Sequence, residues 1–117
     1  NDDIIIVVML ETPKAINNVE EIASVSGIDV LLVGTNDLCM EMGIPGKFDH
    51  NNVKNSYKKV IQACNNNNIL PGMGGVYDET LMHEYIDLGM KFILSGSDLS
   101  FLVKGAEDRL KNLKSKG

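Results

Sequence analysis

Strand-like and helix-like segments alternate four times along this 117-residue chain, and that alternation limits its fold more than any other feature. Apolar runs rich in β-branched residues occupy positions 4–10, 30–33, 69–70 and 92–94. The first two are continuous rather than alternating, the pattern of strands buried on both faces. Each run is followed by helical spacing. Pro13 suits the first position of a helix whose Ile16, Val19, Ile22 and Ala23 share one face. The second unit has a short turn at 38–42 and a Gly/Pro loop. Val53, Tyr57, Val60, Ile61 and Cys64 then follow at helical intervals. The third unit carries Leu81, Met82, Tyr85 and Ile86; the fourth carries Leu99, Leu102, Val103, Ala106, Leu110 and Leu113. Gly27 and Gly89 stand where glycine is expected just past a helix end.

Strict alternation implies an α/β fold with parallel strands joined by right-handed crossovers. Four such units are half of a TIM (β/α)8 barrel, which typically needs about 250 residues. The expected architecture is therefore a half-barrel, with residues 1–117 forming a single partial domain. Beginning at Asn1 rather than at methionine fits a fragment of a longer protein. An open four-stranded α/β sheet is the alternative, but "ETPKA" after the first run is not the glycine-rich fingerprint of a nucleotide site.

Composition narrows the partners. Apolar residues make up 44% and charged residues 23%, as in ordinary globular domains, and a net charge of -5 argues against nucleic acid or an anionic membrane surface. No apolar run approaches the roughly 20 residues of a membrane span, and no signal-peptide pattern is visible. Cys39 and Cys64 lack metal-type spacing and read as buried, reduced thiols in a cytoplasmic protein. The run of asparagines at 65–68 reads as loop bias.

In a barrel the chemistry sits at the carboxyl ends of the strands. The four corresponding loops are "LETP", "VGTNDL", "GMGGVYD" and "SGSDLS". Glu11 ends the first run and Asp37 follows the second. Neighbouring parallel strands lie about 4.8 Å apart, so both carboxylates can face one pocket mouth. Two acids that close repel each other, and Lys14 is the only base in either loop. A divalent cation would relieve the repulsion; with no His or Cys nearby, the donor set suits Mg²⁺ or Mn²⁺. The blander reading stays open at this point: Asp37 as a cap for a turn starting at Leu38, and Glu11 as a first-turn acid near Pro13. Gly34 would let the backbone amides of Asn36 and Asp37 face an anion. "PGMGG" at 71–75 reads as a loop that keeps backbone close to a substrate. Asp98 is expected to cap the last helix, with Ser95 and Ser97 supporting the turn. His50 and His83 lie in a loop and on a helix, neither placed as a catalytic base.

"VVMLETPKAINNVEEIASVSGIDVLLVGTNDL" resembles the second half of the HpcH/HpaI family of class II pyruvate aldolases, which includes citrate-lyase β-type enzymes. "PGMGGVYD" and "LGMKFILSGSDLSFL" resemble the last two strands of the same barrel. The resemblance implies a C-terminal half-barrel of a carbon-carbon lyase that cleaves a 4-hydroxy-2-keto acid to pyruvate and an aldehyde. It implies that Glu11 and Asp37 bind a divalent metal (Mg²⁺, Mn²⁺ or Co²⁺). That metal would hold the 2-keto acid and stabilise the enolate formed on cleavage. It implies that Asn36, with Asp37 and the loop glycine Gly34, holds the substrate carboxylate. A glutamine common two residues before the metal glutamate is Met9 here, which removes a hydrogen bond to substrate. The resembled family's catalytic histidine and arginine belong to the first half, so no catalytic base or arginine is expected in this half. The resemblance also implies a homo-oligomer packed through the last helix. A citrate-lyase β-like enzyme acting on a CoA thioester, or a non-catalytic assembly unit, are the alternatives.

Overall fold

Parallel strands cannot be joined by tight turns, so each must be followed by a segment that climbs back over the sheet. The computed structural model, which describes residues 4–115, places the helices there. In chain order the elements are β1 (Val7–Leu10), α1 (Pro13–Asn17), α2 (Val19–Ala23), β2 (Val30–Gly34), α3 (Thr35–Glu41), α4 (Asn51–Asn66), β3 (Leu70–Gly74), α5 (Glu79–Leu88), β4 (Phe92–Ile93) and α6 (Asp98–Ser115). The strands pair in parallel in the order β1-β2-β3-β4. That sequential order is barrel winding, because a doubly wound sheet reverses its order at a switch point and carries helices on both faces. The open-sheet alternative is set aside on this ground.

The two faces of the sheet differ. Val8, Leu10, Leu31, Val33, Met73 and Ile93 face the helices and join one core with Ile16, Val19, Leu38, Tyr57, Val60, Leu81 and Tyr85. On the other face Val30 and Leu32 are buried, while Val7, Met9, Leu70 and Leu94 are exposed. The expectation that the first strand is buried on both faces is not met among the described residues: β1 begins only at Val7, pairs with β2 on one side, and exposes its second face. Ile6 is still tied to β2: its N–H donates to Asp29 Oδ2 at 2.8 Å and its carbonyl accepts from Asp29 N–H at 3.0 Å.

Other boundaries shift for local reasons. The first helix is two short helices, because Asn18 leaves helical dihedrals (φ -99, ψ 13); Ile16, Val19 and Ala23 still share the buried side. "PGMGG" is mostly strand rather than loop. Pro71, which has no N–H to give, sits one residue before β3 begins to pair with β4 at Gly72 and Phe92. A Cβ on Gly72 would lie 3.0 Å from the Phe92 carbonyl oxygen and 3.1 Å from Leu32 Cδ1, so a larger residue would crowd both. Gly89 closes α5 at φ +135, whereas Gly27 lies further along the loop after α2. Asp78 caps α5, its carboxylate accepting from Leu81 N–H at 2.9 Å.

The α6 helix differs from the others in having no core: every described side chain from 98 to 114 is exposed, including Leu99, Phe101, Leu102 and Leu113. Its start is capped by Ser97 and not by the expected Asp98. Ser97 Oγ accepts from Ser100 N–H at 3.2 Å and Ser100 Oγ accepts from Ser97 N–H at 2.9 Å. Asp98 is the first residue of the helix proper. The radius of gyration, 16.7 Å, exceeds the roughly 13 Å of a compact chain of this length, as a projecting helix requires. Among the described residues, no helix is long and apolar enough to cross a membrane.

Cys39 and Cys64 are fully buried free thiols, as expected. Burial raises both; it pushes Cys64 up to about 11. The thiolate is the reactive form, so iodoacetamide at about pH 8 is expected to label neither cysteine in the native protein and both in concentrated guanidinium. Gly72→Val is expected to cost about 1–3 kcal/mol of stability by crowding Phe92, read as a lowered urea midpoint.

Candidate active site

Because Leu10 pairs with Val33, the next residue, Glu11, comes level with Gly34. Alternation puts Glu11 on the face of Met9, the side of the sheet that no helix covers. A Cβ built on Gly34 would lie 2.9 Å from Glu11 Cγ, 3.3 Å from Glu11 Oε1 and 3.3 Å from Met9 Cε. Only the missing side chain at 34 lets Glu11 lie across the end of β2. Met9 brings an apolar methyl to this place.

Neither carboxylate performs the structural task that the blander reading gave it. Thr12 caps α1, its Oγ1 accepting from Ala15 N–H at 3.1 Å, and Pro13 follows as the first helical residue. Glu11 is thus outside the helix, whose first turn holds no acid. α3 begins at Thr35 rather than at 38, with Gly34 in the cap position, so Asp37 is its third residue and not a cap. No side chain caps the start of α3. The ion pairs among the described residues are Lys54–Glu84 and Lys104–Asp108, so neither Glu11 nor Asp37 is neutralised by a lysine or arginine.

Glu11 lies just past β1, and Asp37 lies on the first turn of α3, which follows β2 directly. Among the described residues no cluster of three His, Cys, Asp or Glu side chains that could hold a metal ion occurs. Two carboxylates are a donor set that suits a hard octahedral cation, which keeps several positions for water and substrate oxygens. Gly75, at φ +85 in the loop after β3, comes so close that a Cβ there would lie 3.3 Å from the Asn36 amide nitrogen. Asn36 and Asp37 are both exposed on the first turn of α3.

Beneath this turn lies a polar pair that the sequence reading missed. Thr35, fully buried, places its Oγ1 2.5 Å from the hydroxyl of buried Tyr57 on α4. Either hydroxyl can donate in this bond, and Thr35 Oγ1 also lies 3.4 Å from the Val33 carbonyl oxygen. Burial pushes the Tyr57 phenol well above its usual range and keeps it protonated. The available signal was a tyrosine on an otherwise aliphatic helix face, since a buried hydroxyl needs a partner. The histidines are elsewhere: His50 caps α4, its Nδ1 accepting from Asn52 N–H at 3.0 Å, and His83 is exposed on α5. The single arginine, Arg109, is on α6.

The geometry can be set beside known proteins. The model of the HpcH/HpaI aldolase/citrate lyase family matches residues 1–105. A 4-hydroxy-4-methyl-2-oxoglutarate aldolase of Chaetomium globosum is 37% identical over 105 residues, covering 88% of this chain and 39% of its own length. A 4-hydroxy-2-oxo-heptane-1,7-dioate aldolase of Klebsiella pneumoniae is 33% identical over 107 residues, covering 92% of this chain and 40% of its own. The chain therefore spans about two fifths of the length of these curated relatives. A crystal structure of an HpcH/HpaI aldolase from Desulfitobacterium hafniense superposes with a TM-score of 0.84 at 27% identity, over 97% of this chain and 44% of that one. The fold is that of part of such a barrel, and the chain belongs to the HpcH/HpaI aldolase/citrate lyase family.

Proposed function

We propose that this chain is the C-terminal half of a (β/α)8 barrel that cleaves a 4-hydroxy-2-keto acid to pyruvate and an aldehyde, with a divalent cation held by Glu11 and Asp37. The observation that carries the reading is Glu11 lying over the bare α-carbon of Gly34, level with the turn that bears Asp37. Both acids are free of caps and ion pairs. The two relatives are named for 4-hydroxy-2-oxo acids, which supports the substrate class.

Cleavage breaks the bond between carbons 3 and 4, removes the proton of the 4-hydroxyl and delivers a proton to carbon 3. A bound Mg²⁺, Mn²⁺ or Co²⁺ supplies Lewis-acid polarisation of the 2-keto group. Glu11, just past β1, and Asp37, on the first turn of α3, would provide its anionic donors. The Asn36 amide receives the substrate carboxylate, and Gly34 and Gly75 keep side chains out of the way. Proton transfer needs a base, and neither His50 nor His83 stands at the strand ends. That base and a charge-stabilising arginine come from the complementary half of the barrel. The exposed apolar face of Val7, Met9, Leu70 and Leu94 is the surface that such a half covers. The apolar residues along α6 pack against a second copy of the protein.

In the intact protein, pyruvate release from a 4-hydroxy-2-keto acid is expected to stop on chelation and to return with Mg²⁺, Mn²⁺ or Co²⁺. Turnover indifferent to chelation would contradict the reading. Gly34→Val is expected to displace Glu11 and weaken Mn²⁺ binding at least about tenfold, or about 1.4 kcal/mol. For the oligomer, sedimentation of a Leu102→Glu, Leu113→Glu variant is expected to show a smaller species than the parent protein; an unchanged profile would remove α6 from the interface.

A further inference from the structure

Thr35 and Tyr57 form a buried polar pair that the scheme above leaves without a task. Thr35 and Ser56 are the buried polar side chains among the described residues, apart from the tyrosines. Ser56 is satisfied locally, donating to the Asn52 carbonyl at 2.8 Å within its own helix. Thr35 instead reaches a partner 22 residues away, on a different element. The bond joins the point where β2 becomes α3 to the middle of α4.

The far end of that bond is itself fixed. The Tyr57 ring packs on Tyr85, with ring centroids 4.3 Å apart at 47°. The Tyr85 hydroxyl donates to the Phe48 carbonyl in the loop before α4. Gly75 passes close by, where a Cβ would lie 3.3 Å from the Asn36 amide nitrogen and 3.8 Å from that of Thr35. The Thr35–Tyr57 bond ties residue 35 to α4, and any rotation of the α3 start would break it, leaving a buried hydroxyl unsatisfied. Asp37 is two residues further along the same helical turn.

We propose that Tyr57 is a positioning residue, which acts through Thr35 to fix the start of α3 and so holds Asp37 beside Glu11 in the geometry that binds a divalent cation. Tyr57 itself touches neither cation nor substrate. The inference rests on the metal reading of Glu11 and Asp37, and its test separates the two. Mn²⁺ alone is titrated into the intact protein, far below the urea transition, with the urea midpoint recorded on the same samples. Tyr57→Phe and Thr35→Val are expected to raise the Mn²⁺ dissociation constant about tenfold, as loss of a supporting hydrogen bond does at metal sites. Thr35→Ser, which keeps the hydroxyl, is expected to stay within about twofold of the parent. A Tyr57→Phe protein that binds Mn²⁺ as tightly as the parent, even with a lowered urea midpoint, overturns the positioning role alone. A parent protein that binds no Mn²⁺ overturns the metal reading together with it.

Discussion

Leu10 pairs with Val33 in parallel, and a slip of one residue there would turn Glu11 from the open face of the sheet into the helix-covered core. The side-chain period of a strand is two, so register alone decides which face Glu11 takes. Register is in turn held by the core: Leu10, Leu31 and Val33 must face the helices, and burying each is worth about 1.5–3 kcal/mol. Those residues fix the strands, the strands fix Glu11 against Gly34, and the buried Thr35–Tyr57 bond fixes the helix that carries Asp37.

The sheet also explains the division of labour between its two sides. One side is packed with branched and aromatic side chains from α1 to α5. The other carries glycines at 34, 72 and 74, where Glu11, Phe92 and Leu94 respectively come too close for a Cβ to fit without crowding. Small residues on that side cost packing but let backbone and carboxylate approach one another. That trade is common at binding sites and rare in a core built only for stability.

Much of this was legible in the sequence. Continuous apolar runs marked β1 and β2, and helical spacing marked α4 and α5, because burial on a fixed period leaves a readable trace. Glu11 and Asp37 stood out in the sequence as acids placed just past two apolar runs. What failed to show were features set by tertiary contact. "PGMGG" looked like a loop because Pro and Gly rarely make strands, yet the approach of Leu32 and Phe92 demands them there. The buried bond of Thr35, at the start of α3, goes to a partner 22 residues away, which no local pattern encodes. The Ser97–Ser100 pair outcompeted Asp98 as a cap by satisfying two groups reciprocally, a choice between equally good local candidates. The uncovered face of β1 was hidden for a different reason: an apolar run reports what can be buried, not what covers it.

Titration of the intact protein with Mn²⁺, comparing Glu11→Gln, Asp37→Asn and the double variant, tests whether the two acids form one site. Each single change is expected to weaken binding by about 100-fold, and the double change to weaken it by much less than the product, since either loss already dismantles a shared site. Affinity unchanged in either single variant would show that the acids at the ends of β1 and β2 do not hold a cation together.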